Sequence, residues 1–158
     1  MVYSWLLALH NLTRWLVLGF GFWAARRMVG GWRSGRAWTE RDRRSLHIFA
    51  QVIGVQFILG VLVYFVPGTL SSAVRGAAPL AAIMKDRVLR FFIVEHPFQM
   101  FIAVAIAQGA ERAASSAADD RRKFRRGSLM LLLTLLLILA AIPWPFLSHG
   151  RPLLRLPW

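Results

Sequence analysis

The sequence predicts an all-α integral membrane protein, an up-down-up-down bundle of four transmembrane helices. Three observations predict it. Residues of the AVILMFWYC set make up 57% of the 158 positions, above the roughly 45–50% of a soluble domain. Four runs approach the ~20 apolar residues that cross a hydrocarbon core of about 30 Å. The charge, 20 Lys and Arg against 7 Asp and Glu, lies almost wholly between those runs. Strands are a poor alternative, because the runs lack the period-2 alternation of a membrane barrel.

The expected spans are about 3–25, 45–66, 88–108 and 129–147, in one membrane domain covering residues 1–158. Each is long enough if helical, since a helix satisfies its backbone internally. The first loop, 26–44, carries Arg26, Arg27, Arg33, Arg36, Arg41, Arg43 and Arg44. The third loop, 109–128, carries Arg112, Arg121, Arg122, Lys123, Arg125 and Arg126. The second loop, 67–87, and the tail, 148–158, together with Arg90 at the start of span three, hold only six cations: Arg75, Lys85, Arg87, Arg90, Arg151 and Arg155. The positive-inside rule places loops one and three in the cytoplasm and both termini outside, an N-out/C-out protein of a bacterial inner membrane. The pI near 11.9 therefore reflects orientation and contact with the lipid bilayer rather than nucleic-acid binding.

The N-terminus lacks a basic n-region and a small-residue cleavage site, so the first span is expected to stay in the mature chain. Loop three, rich in Ala, is expected to extend spans three and four as a helical hairpin. Loop two is expected to hold a short surface helix within 71–87. The fourth span, with Thr134 its main polar residue, reads as lipid-facing. Trp residues near span ends fit interfacial belts. The absence of cysteine excludes disulfides, thioether haem attachment and Cys-ligated clusters. No P-loop, dinucleotide fingerprint or zincin helix is present, so an electron carrier or a subunit fits better than a stand-alone enzyme.

Function should show in the ionisable groups inside spans, which are costly there and face the bundle interior. Span one offers His10, Asn11 and Arg14. Span three offers Arg90, Glu95, His96 and Gln99. His10 lies seven residues inward from Tyr3 and His96 eight from Val88, depths of roughly 10 and 12 Å from the same side. His47 falls near the cytoplasmic edge and His149 beyond the fourth span. Two imidazoles at one level on separate helices are what a six-coordinate b-type haem requires. His10 and His96 are then the metal ligands, and Arg14 and Arg90 the partners of the propionates. The same residues read equally as a polar network gluing helices one and three, with Arg14 and Glu95 as the natural ion pair. Pro97 cannot donate to the Ile93 carbonyl, and a kink is expected there with a carbonyl in need of a partner.

His10-x-x-x-Arg14-Trp15, Arg90 followed by Glu95-His96-Pro97-x-x-Met100, and Ile142-Pro143-Trp144-Pro145 resemble a group of small four-span bacterial membrane proteins labelled cytochrome B or cytochrome b-like. The resemblance implies haem b held by His10 and His96. It also implies electron transfer, with quinone as a further partner, within a respiratory or photosynthetic complex. In that group a second-span His often stands near the position of Gly54, whereas this chain has His47. Glu95 is expected to orient an imidazole or pair with Arg14. The alternatives are another His-ligated tetrapyrrole and a cofactor-free accessory subunit.

Overall fold

The computed structural model describes residues 1–68 and 79–154, which are helical without a strand among them. Helix α1 spans Val2–Ser34, α2 Glu40–Phe65, the short α3 Leu80–Lys85, α4 Arg87–Ser115 and α5 Asp120–Ala141. α2, α4 and α5 are long and apolar enough to cross a membrane. α1 is longer still, but His10, Asn11, Thr13 and Arg14 dilute its apolar run. The helical hairpin expected from loop three is present, with only residues 116–119 between α4 and α5. The loop-two helix appears as α3, and the rest of that expectation, 71–78 with Arg75, lies outside the described residues.

The helix ends follow local chemistry. α1 stops at Gly35, whose φ of 65° suits a residue without Cβ and whose N–H donates to the Gly31 carbonyl. The Thr39 N–H donates to Asp42 Oδ2 (3.0 Å) and its hydroxyl does so at 2.7 Å, the reciprocal device that starts α2. Asp119 caps α5 through the Arg122 N–H, 2.8 Å. α5 ends before Pro143, because a residue preceding proline leaves helical geometry; Ile142 has ψ 128°.

Four long helices form a ring. α1 packs on α2 and α5, and α4 packs on the same two, so α1 and α4 stand diagonally. Small residues allow the close approach. Ala103, Ala107, Ala110 and Ala114 line the buried stripe of α4, and Gly21, Gly31 and Gly127 receive Leu135, Phe124 and Met28. Between apolar helices in an apolar solvent, such packing and a few polar contacts supply the cohesion. Large apolar side chains point outward all round, among them Leu16 and Phe20 of α1, Val55 and Ile58 of α2, Phe98 and Phe101 of α4, and Leu132 and Leu136 of α5. A belt of that extent suits lipid rather than water.

α5 corrects one expectation. It is not lipid-facing alone: beside its exposed Leu129, Leu132, Leu133 and Leu136, the residues Phe124, Leu131, Thr134, Leu135, Ile138 and Ala141 are buried in the core. A nearly uniform leucine sequence carries no long polar stripe to mark its inner face, and only Gly127, Ser128 and Thr134 hint at it.

At the Arg-rich end Asp42 is fully buried and takes hydrogen bonds from Arg27 (2.6 Å), Arg36 (2.7 Å to each oxygen) and Thr39. The hydrogen bond to Asp42 raises the Arg36 guanidinium above its ordinary pKa. Asp120 accepts from the Trp38 N–H at 2.9 Å, and Trp38 meets Phe124 edge to face. This cluster ties the α1–α2 connector to α5.

Two outcomes follow. In Gly31→Ala a Cβ would lie 2.2 Å from the Phe124 ring, so the variant is expected to lose about 1–3 kcal/mol, although helix propensity alone favours Ala by about 1 kcal/mol. Thermal unfolding in detergent reads the sign. Asp42→Ala leaves two guanidiniums without their shared carboxylate and is expected to cost about 3 kcal/mol; an unchanged unfolding midpoint would contradict the hub.

Candidate functional site

The polar residues of α1 and α4 converge at one level, and their backbones are fixed there by α2. Gln56, buried, donates from Nε2 to the His10 carbonyl (2.8 Å), and its Oε1 accepts from the Thr13 hydroxyl, which also bonds the Leu9 carbonyl at 2.8 Å. Gly60 leaves room for the imidazole, since a Cβ there would stand 3.1 Å from His10 Cε1. On α4 the missing Pro97 N–H is absorbed by a π-helical turn, Phe91–Glu95, a local widening that accommodates a broken bond ladder. The freed Ile93 carbonyl accepts from the Tyr64 hydroxyl at 3.3 Å. His96 keeps helical angles, φ −61° and ψ −50°, so the expected departure is spread over the turn before it.

The imidazoles of His10 and His96 face each other across the bundle, ring centres 6.3 Å apart and planes at 77°. His96 Nδ1 bonds the Ala141 carbonyl at 2.8 Å. That contact makes Nδ1 the protonated nitrogen and leaves Nε2 with its lone pair toward the interior. Two imidazoles on opposite sides of one metal, each about 2 Å from it, have ring centres roughly 6 Å apart. Around the pair lies a cavity of about 740 Å³, mostly apolar, walled by α1, α2, α4, the end of α5 and the segment after it. That volume suits a cofactor-sized ligand. His10 Nδ1 and Arg14 Nε are buried without a hydrogen-bond partner. Such orphaned atoms mark places where a bound group or water completes the site.

His10, Arg14 and His96 thus share the cavity, while Arg90 and Glu95 are not on its lining. Arg90 Nε pairs with Glu95 at 2.7 Å, and its NH1 with the Met84 carbonyl at 3.0 Å. The expected Arg14–Glu95 pair does not form, because the π turn directs Glu95 back toward its own helix start. His47 sits away from the cavity and bonds Glu111 at 2.9 Å.

Sequence reading missed the contribution of the segment after α5. His149 stacks on Phe91, ring centres 3.7 Å apart, and Phe91 lies 5.8 Å from His96. Arg151 and Pro152 line the cavity. The signal available was a His and an Arg among Pro and Gly turn residues, 143–152, which is compatible with a chain folding back rather than trailing away.

No family model matches this chain, and no curated protein or solved structure matches it significantly. The fold and the site therefore define the class on their own: an all-helical bundle, apolar outside, with a histidine-lined internal cavity.

Tyr64→Phe removes the only side-chain partner of the Ile93 carbonyl among the described residues. It is expected to cost about 1 kcal/mol, read as a lower unfolding midpoint in detergent. An unchanged midpoint would mean that the π turn satisfies itself.

Proposed function

We propose that this protein is a four-span membrane protein that binds one haem b between His10 and His96 and transfers electrons. The carrying observation is the imidazole pair, ring centres 6.3 Å apart, lining one cofactor-sized cavity, with His96 already oriented by the Ala141 carbonyl. In this reading His10 and His96 would hold the haem iron, and Arg14 would neutralise acidic groups of the ligand. Arg90 and Glu95 neutralise each other and shape the start of α4. The resemblance to cytochrome b-like proteins supports the same assignment. Haem bound there supplies one-electron chemistry at the iron. The chain contributes orientation of two imidazoles, exclusion of water by an apolar wall, and a compensating charge.

α1 serves as the fourth span. Its polar residues turn inward, where their cost in hydrocarbon is met by protein partners, and its outer stripe of Leu9, Leu12, Leu16 and Phe20 is apolar. The distribution of thirteen cations on loops one and three against six on the opposite side, with Arg14 inside a span, favours an N-out/C-out orientation in a bacterial inner membrane. The site then lies toward the outer leaflet, within reach of a membrane quinone or of a partner in a respiratory or photosynthetic complex.

Purified protein in mild detergent, supplied with haem during expression, is expected to show a sharp reduced-minus-oxidised α band of b type. His10→Ala and His96→Ala should each abolish it or shift it to a five-coordinate spectrum. Folded wild-type protein that remains colourless and takes up no added haem would contradict the reading. It would leave the pair as an edge-to-face contact in an accessory subunit without cofactor.

A further inference from the structure

Among the described residues, two arginines and no carboxylate line the cavity. Arg14 is buried, and among the described residues its hydrogen-bond partners are neutral, the Asn11 side chain at 3.3 Å and the Leu153 carbonyl at 2.6 Å. Its Nε has none. Arg151 lines the same cavity at its exposed edge, with its guanidinium 5.0 Å above the Phe92 ring. All seven side-chain carboxylates of the chain are engaged elsewhere. Glu40, Asp42, Glu95, Glu111, Asp119 and Asp120 hold other cations, and Asp86 caps the start of α4. An arginine enclosed by apolar walls without a counter-charge is costly. An acidic ligand removes that cost.

The segment carrying Arg151 is built into the wall. The Arg151 N–H donates to the Pro143 carbonyl at 3.0 Å, which closes the turn. α1 then grips the segment through three donors: Asn11 to the Pro152 carbonyl (3.5 Å), and Trp15 (3.3 Å) and Arg14 to the Leu153 carbonyl. Arg14 and Arg151 therefore both line the cavity, from two parts of the chain, and the rest of the lining is largely apolar.

We infer that Arg14 and Arg151 form a two-jawed clamp for the carboxylates of a dicarboxylic tetrapyrrole, with residues 143–154 as the second jaw. This rests on the haem reading and deepens it. The clamp selects a macrocycle with two free carboxylates on one edge over an esterified one such as a chlorophyll.

The test is titration of the purified, detergent-solubilised full chain with iron protoporphyrin IX and, separately, with its dimethyl ester, followed by the Soret band. The wild type is expected to bind the diacid about tenfold or more tightly than the ester, the value of a charge-assisted contact. Arg151→Gln should weaken the diacid about tenfold and leave the ester unchanged. Arg151→Lys should restore part of the difference, and Arg151→Glu should reverse the preference. Equal wild-type affinities, or an Arg151→Gln loss shared by both ligands, would overturn the clamp while leaving haem binding intact. A wild type that binds neither macrocycle overturns the haem reading and the clamp together.

Discussion

A polar group set among lipid chains has no water to turn to, and most of this structure follows from that constraint. Helical backbone satisfies itself, so the exceptions locate the chemistry. Pro97 removes one backbone bond, and the π turn with the Tyr64 hydroxyl repairs the loss. The Gln56 side chain reaches the His10 carbonyl and Thr13. Each repair lies on or beside the wall of one cavity. A bundle held by Ala and Gly stripes could have been packed shut at that level, and instead a cavity lined by both imidazoles remains.

The two ends of the bundle divide the work. At the Arg-rich end, charge is abundant and compensated, with Asp42 buried beneath Arg27 and Arg36 and Asp120 fastening Trp38. That end fixes the connectors and the pairing of α1, α2 and α5. At the other end, among the described residues, Arg14 and Arg151 line the cavity without a carboxylate beside them. The compensated ion pairs thus lie in the first region and the cavity, with His10 Nδ1 and Arg14 Nε unpartnered among the described residues, in the second.

Much of this was legible in the residues. The lengths of the apolar runs gave the helices, and the interruptions at His10, Arg14 and His96 gave the level of the site. The spacing of those two histidines from their span ends carried their depth, since a helix rises uniformly along its axis. Three things were not legible. The inner face of α5 was hidden because leucine serves core and lipid alike. The partner of Glu95 depended on a π turn that redirects one side chain. The return of residues 143–154 over the cavity depended on contacts to backbone carbonyls, which any sequence can offer.

The central claim is that His10 and His96 bind one iron from opposite sides. Electron paramagnetic resonance of the oxidised, haem-loaded protein tests it most directly, because the ferric signal reports both the number of imidazoles and the angle between their planes. With the rings near the 77° found between them, the account predicts a strongly anisotropic low-spin signal that is lost in His10→Ala and in His96→Ala. A high-spin signal in the wild type, or a low-spin signal that survives either substitution, would contradict it.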